Sequence, residues 1–107
     1  MKENQDFFNL LRSISKQPGQ TQRELANSLG FSLGKLNYCM KALKTKGLIK
    51  ISNFKKNPKK LNYIYILTPK GMTEKTKLTI NFMKRKIKEY EDLKKELQND
   101  IKKNKNK

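Results

Sequence analysis

The segment from Thr21 to Gly47 constrains the fold of this 107-residue chain more than any other part of its sequence. Thr21 is followed three residues later by a glutamate, which is the pattern of an N-terminal capping box, and Gly30 ends the short helix that follows. Ser32 then caps a second helix, for which Gly47 provides the C-terminal glycine. Two short helices joined by a glycine-containing turn form a helix-turn-helix.

The apolar residues of this segment have the spacing that the motif requires. Leu25 and the small Ala26 allow the second helix to cross the first closely, and Gly30 can adopt the positive φ of the turn. The apolar row predicted to face the core from the second helix is Leu36, Cys39, Met40 and Leu43. The face predicted to point outward carries Gly34, Lys35, Asn37, Tyr38, Lys41 and Lys44. Two generic core helices would not need this placement of small residues and glycine.

The rest of the chain predicts helices on both sides of a β-hairpin. Apolar residues at helical spacing over 5–16 predict an amphipathic first helix. After Gly47 the apolar period changes to about two, which predicts strands over 48–54 and 61–68 around a basic loop. Thr68 caps a long helix that continues to about Ile101. The predicted fold class is therefore mainly α with a β-hairpin wing: a winged helix-turn-helix plus a long C-terminal dimerisation helix. The predicted domains are 1–68, 69–101 and a disordered basic tail over 102–107.

The long C-terminal helix carries a heptad pattern. Its seam residues are spaced alternately three and four apart: Ile80, Met83, Ile87, Tyr90, Lys94, Leu97 and Ile101. Leu93 widens this stripe, and Lys94 weakens it but can specify register or partner number. The pattern predicts a coiled coil that makes the protein a homodimer. The alternative is that the helix packs only on its own domain, although it is long for so small a core.

The charge balance favours a polyanionic partner. The chain has 26 basic and 9 acidic residues, a formal charge of +17, and a field of that sign attracts nucleic acid, anionic membrane surfaces or acidic proteins. Codon usage in an AT-rich genome is a simpler source of the many lysines. It does not explain why residues 25–73 contain ten lysines and no acidic residue. A solvated face normally mixes both signs, so this segment predicts a surface that faces an anion.

These observations predict a duplex DNA interface on three elements. A helix fits the major groove, where its N-terminal residues reach base edges: Lys35 could donate to guanine, Asn37 could pair with adenine, and Tyr38 could contact a thymine methyl or a phosphate. Gly34 either lets the helix approach DNA closely or is merely tolerated in the first turn. The N-terminus of the preceding helix is a usual phosphate contact. The predicted DNA-binding residues are Thr21, Gln22, Arg23, Ser32, Gly34, Lys35, Asn37, Tyr38, Lys41, Lys44, Lys55, Lys56, Asn57, Lys59 and Lys60.

The segments "SLGKLNY", "KGLIK", "LTPKG" and "EYEDL" resemble the MarR family of transcriptional regulators, and more narrowly its branch of exopolysaccharide-associated regulators. The resemblance spans about residues 5–97 and implies a dimeric bacterial DNA-binding regulator whose base-facing residues fall on Gly34, Lys35, Asn37 and Tyr38. Two departures stand out. The wing segment "NFKKNPKK" lacks the Asp-x-Arg element of the broader family, so the contacts of the wing with DNA can consist of lysine–phosphate contacts alone. The short N-terminal helix also puts a family-type ligand pocket in doubt, and the effector is unknown.

Other classes of protein remain as alternatives. A sequence-neutral architectural DNA-binding protein would use the charge alone, and a protein-interaction module would use the long helix. An enzyme is not expected, because the chain has no histidine and no phosphate-cradling glycine loop. Cys39 is the single cysteine of the sequence, so an internal disulfide is excluded. Its inward position favours a structural thiol over a redox sensor. We expect no metal, cofactor, signal peptide or membrane span, and a cytoplasmic protein that is nucleoid-associated when bound.

Overall fold

The structure, a computed structural model, describes residues 2–57 and 60–105. Along the chain, the elements are α1 (Lys2–Lys16), α2 (Gln22–Leu29), α3 (Leu33–Thr45), β1 (Ile49–Asn57), β2 (Lys60–Leu67) and α4 (Pro69–Lys105). The predicted fold class is confirmed: the chain is mainly helical, with an antiparallel two-stranded hairpin and a long C-terminal helix. The chain divides into two compact units, of which the first ends at Thr76 and the second begins at Lys77.

The core of the first unit is made by one face of each short helix and the start of the hairpin. The side chains that contribute to it are Phe7, Phe8, Leu10, Leu11, Ile14, Leu25, Ala26, Leu36, Cys39, Met40, Leu43, Leu48, Ile49 and Tyr65. The inward row predicted for α3 is confirmed by burial, and the predicted amphipathic character of α1 is confirmed by its buried apolar face. Burial of leucine-sized side chains stabilises the fold by about 1.5–3 kcal/mol each. This core therefore fixes which face of α3 points outward.

The caps that the sequence predicted set the ends of α2 and α3. Thr21 Oγ1 accepts a hydrogen bond of 3.1 Å from the backbone N–H of Glu24, and Ser32 Oγ accepts one of 3.1 Å from the N–H of Lys35. Gly47, at φ +74°, ends α3. There the N–H of Leu48 donates to the carbonyl oxygen of Leu43 at 2.9 Å, which is the Schellman arrangement.

The hairpin is longer than the sequence predicted. Its register pairs Ile49 with Leu67 and continues to the pairing of Asn57 with Lys60, with a shift between Lys55 and Asn57. The basic loop predicted over 55–60 is therefore wrong for 55–57 and for Lys60, which lie in strands. Both strands of a two-stranded sheet are edges, where lysine is readily accommodated. Polar sequence alone thus does not end a strand.

A close junction joins the end of α3 to the start of α4. Thr68 Oγ1 donates to the carbonyl oxygen of Gly47 at 2.6 Å and accepts from the N–H of Gly71 at 3.0 Å, and the N–H of Thr68 donates to the carbonyl of Leu48 at 3.0 Å. Gly71 is buried, and a β-carbon there would overlap the backbone carbonyl of Leu48. The predicted cap at Thr68 is confirmed, and the glycine in this turn is needed for packing.

Helix α4 continues to Lys105. The prediction of a disordered tail from residue 102 is therefore wrong for 102–105, and its last two positions, 106 and 107, lie outside the described residues. Lysine is a good helix former, and cations interact favourably with the C-terminal end of a helix, so a basic tail can continue the helix. Among the described residues, no helix is both long enough and apolar enough to cross a membrane.

Candidate nucleic-acid interface

The outward face of α3 is a polar and basic surface on a helix whose other face is fixed in the core. Asn37, Lys41 and Lys44 are exposed, and the Tyr38 side chain has a relative exposure of 61%. Leu36, less than 2% exposed, holds the opposite face of the helix. The arrangement gives α3 a rigid base and a solvent-facing row of hydrogen-bond donors and acceptors.

A groove of about 210 Å³ brings the N-terminus of α2 together with α3 and the hairpin. Its polar rim is formed by Gln22, Asn37, Lys41 and Lys44, and its apolar floor by Met40, Ile49, Ile51 and Tyr65. Gln22 is the first residue of α2, so a predicted backbone-contacting residue lies beside three residues predicted on α3. The sequence predicted these four residues, and the structure places them around one depression.

A second depression, of about 320 Å³, lies on the other flank of α3 and is lined by Tyr38, Lys41, Ala42, Thr45 and Lys46. Lys41 lines both depressions, so it stands on the ridge between them. Lys46 lies over the ring of Phe7, with its Nζ 4.9 Å from the ring centroid. Because this cation packs against α1, it is less available to an external anion than Lys41.

Lys35 has partners within the protein. Its Nζ lies 3.1 Å from Oδ2 of Asp6 on α1 and 4.5 Å from the centroid of the Phe31 ring. The lysine side chain is 43% exposed, whereas that of Asp6 is 21% exposed. The sequence predicted Lys35 as an outward-facing donor, and the structure instead ties its ammonium to the first helix.

The remaining predicted residues fall into two groups. Thr21 and Ser32 use their side-chain oxygens as helix caps, and Arg23 and Gly34 are exposed in the first turns of α2 and α3. The wing residues come next. Lys55, Lys56, Asn57 and Lys60 lie in the two strands, but their side chains are outside the described part of the structure, and Lys59 lies outside the described residues altogether.

Sequence reasoning missed Asp6 and the apolar floor of the groove. Asp6 is one of four acidic residues before Lys77, yet only the tertiary packing of α1 on α3 reveals its partner. The floor had a weak signal in the alternation of the hairpin, in which Ile49 and Ile51 lie on one face. Ile51 remains 40% exposed at this position.

Among the described residues, no three Cys, Asp or Glu side chains are grouped so that they could hold a metal ion. Cys39 is buried, as its spacing predicted. The chain has no histidine.

Comparison with known proteins agrees with this geometry. Residues 8–50 match a family model described as a winged helix-turn-helix DNA-binding domain. Searching the curated proteins gives no match. The chain thus contains a winged helix-turn-helix fold.

Solved structures define the fold more narrowly. The chain is similar to Staphylococcus aureus MarR in complex with salicylate and kanamycin (21% identity, TM-score 0.65, 80% of this chain and 56% of that one). It is also similar to the zinc-responsive MarR family member ZitR of Lactococcus lactis (20% identity, TM-score 0.63, 82% of this chain and 58% of that one). A third similar structure is the transcriptional repressor CouR bound to a 23-mer DNA duplex (25% identity, TM-score 0.59, 67% of this chain and 49% of that one). The chain spans about half the length of these proteins, and its fold is that of MarR family regulators.

Proposed function

We propose that this protein is a MarR-type transcriptional regulator that binds a specific duplex DNA sequence as a homodimer. The observation that carries the proposal is the outward face of α3, where Asn37, Tyr38, Lys41 and Lys44 are exposed on a helix locked into the core by its other face. A helix presented in this way fits the major groove, where an amide side chain can distinguish adenine and a lysine can reach guanine.

The neighbouring elements supply the backbone contacts in this proposal. Gln22, at the N-terminus of α2, lines the same groove as Asn37 and Lys44. The unpaired N–H groups of a helix N-terminus favour phosphate oxygens. In this proposal, lysines in the hairpin sequence neutralise further phosphates of the duplex. The structural likeness to CouR, which was solved on a DNA duplex, supports this assignment.

The homodimer is supported by the exposed stripe on α4. Its apolar members are Ile80, Met83, Ile87, Tyr90, Leu93, Leu97 and Ile101, with relative exposures between 47% and 64%. A continuous apolar stripe at heptad spacing is buried when it pairs with an equivalent helix. Two copies then present two α3 helices to a site with two-fold symmetry, with half-sites about one helical turn apart.

We further propose that the regulated genes serve exopolysaccharide synthesis and that the protein acts in the bacterial cytoplasm, at the nucleoid when bound. This part of the proposal is supported by the resemblance of "SLGKLNY", "LTPKG" and "EYEDL" to the exopolysaccharide-associated branch of the MarR family.

Selection of bound sequences from a pool of random duplexes tests specific recognition directly. We expect enrichment of one motif with two-fold symmetry, followed by a footprint over both half-sites. Enrichment without any preferred sequence, at every salt concentration used, would instead support the sequence-neutral architectural protein.

Variants on α3 separate base contacts from phosphate contacts. Replacing Asn37 or Tyr38 by alanine should weaken the selected site by about tenfold or more, while affinity for random duplexes changes little. Lys44→Ala should weaken both duplexes alike and make the salt dependence shallower by about one unit. Lys88→Ala removes the same charge from an exposed position on α4 and serves as the control. Equal losses on both duplexes for the Asn37 and Tyr38 variants would contradict the assignment of base contacts.

A further inference from the structure

The ion pair between α1 and α3 changes what Lys35 can do at a DNA surface. The Lys35 ammonium lies 3.1 Å from Oδ2 of Asp6 and 4.5 Å from the centroid of the Phe31 ring. The pairing carboxylate is also the better shielded partner, at 21% exposure against 43% for the lysine side chain. Lys35 is therefore directed by two groups that the protein itself supplies.

An unpaired lysine at this surface would act mainly as a mobile point charge. Such a side chain moves to the nearest phosphate, and each neutralised phosphate adds affinity for any sequence through release of counterions. Pairing with Asp6 cancels most of that charge and places a carboxylate that phosphates repel. The pair therefore contributes little to sequence-independent attraction.

Pairing still leaves Lys35 able to donate hydrogen bonds. An ammonium has three N–H donors, of which a single carboxylate oxygen takes one. Lys35 lies in the first turn of α3, where Ser32 Oγ accepts from its backbone N–H, and residues in this turn reach base edges in a helix-turn-helix complex. The remaining donors can then serve an acceptor at a fixed position.

From this geometry we propose that Asp6 is a specificity-determining positioning residue. It acts through Lys35, directing that ammonium to a base-edge acceptor and preventing its use as a general phosphate anchor. The proposal rests on the DNA-binding function proposed above and adds to it a role for α1, which lies outside the helix-turn-helix itself.

Asp6→Asn tests the proposal because it keeps the shape of the side chain and removes its charge. Affinity for random duplexes should rise about threefold to tenfold near 0.1 M salt, and the salt dependence should steepen by about one unit. The ratio of affinities for selected and random duplexes should fall. Asp6→Glu keeps the charge and should keep the wild-type salt dependence. Exposed ion pairs contribute little to folding stability, so these variants should remain folded, as circular dichroism will check.

A double-mutant cycle with Lys35→Ala identifies the route of the effect. If Asp6 acts through Lys35, then in the Lys35→Ala background Asp6→Asn changes the affinity ratio and the salt dependence no more than removal of an exposed acid elsewhere does. Glu24→Gln, which removes one exposed acid from the first turn of α2, is the control for net charge. Its effect should persist in that background.

Three outcomes would overturn the inference, each in its own way. An unchanged affinity ratio and salt dependence, with only a lower melting temperature, would make the ion pair purely structural. Persistence of the Asp6→Asn effect without Lys35 would make it a general charge effect. A wild-type protein without any sequence preference would overturn the proposed specific regulator and, with it, this role for Asp6, whereas the first two outcomes leave the regulator intact.

Discussion

Gly34 and Gly71 occupy corresponding first turns of α3 and α4 but have opposite surroundings. A β-carbon at Gly34 would meet nothing within 4 Å, whereas at Gly71 it would overlap the carbonyl oxygen of Leu48. That carbonyl already accepts a hydrogen bond from the N–H of Thr68. The same residue type therefore serves close packing in one helix and leaves an open surface in the other.

We expect Gly71→Ala to lower the free energy of unfolding by about 1–3 kcal/mol, because the added methyl group pushes α4 away from Leu48. Urea denaturation measures this change. A stability equal to that of the wild type would show that the junction can shift to accept the methyl group.

Gly34→Ala should instead raise the free energy of unfolding, by up to about 1 kcal/mol, because alanine favours the helix more than glycine does. If α3 enters the major groove closely at this turn, the same variant should bind the selected duplex more weakly. Thermal denaturation and DNA titration of one preparation separate these effects. Greater stability with unchanged DNA affinity would show that this glycine is only tolerated.

At the scale of single residues, local rules predicted much and tertiary partners were missed. Thr21 and Ser32 were recognisable as caps because capping depends on residues within one turn. The pairing of Asp6 with Lys35 joins residues far apart in sequence, so no local sequence pattern predicts this ion pair. The need for glycine at position 71 likewise depends on Leu48, which lies between α3 and β1 rather than in α4.

At the scale of elements, the sequence predicted their number and order but not all of their lengths. Helices α2 and α3 were bounded well because capping residues and glycines mark their ends. The hairpin and α4 lack such marks at the ends that were misplaced. Lysines and asparagines there are compatible with both regular structure and loop, so the pairing of Asn57 with Lys60 and the last helical turn had to come from the structure.

Lys94 interrupts the apolar stripe of α4, and its replacement tests whether that stripe is a dimer seam. Lys94→Leu should strengthen dimerisation about tenfold or more, because the new side chain loses no charge solvation when the seam closes. Sedimentation equilibrium measures the dissociation constant. Lys95→Leu, one residue further along the exposed helix, is the matched control and should change it little. Equal effects of both variants would indicate nonspecific association of an added leucine.

At the scale of the whole molecule, the proposed function derives its affinity for DNA from charge and from two-fold symmetry. Residues up to Thr76 carry 15 basic and 4 acidic side chains, so one copy already has a strong attraction for a polyanion. The sequence indicated this attraction, because the acid-free stretch is visible without a structure. Specificity in a dimer also needs two α3 faces that bind together. Linking two binding events raises the affinity for a site with both half-sites without any new contact.

A charge-neutral variant that opens the seam should separate these two contributions. Ile87→Gln with Leu97→Gln removes two exposed apolar seam residues and keeps the formal charge of +17. We expect a monomer whose affinity for the symmetric site falls about a hundredfold or more, because each copy now binds alone. The salt dependence should become about half as steep, since half as many phosphates are neutralised per complex.

Affinity for a duplex with a single half-site should not change in this variant, because the α3 face of each copy is intact. Asn81→Ala with Asn99→Ala, at exposed positions outside the seam, is the control and should leave the full footprint. A doubly substituted seam that still gives a dimer by light scattering, and still protects both half-sites, would place the dimer interface elsewhere in the chain. A monomer that retains full affinity for the symmetric site would show that one copy reads the operator, and the two-fold model would then be wrong.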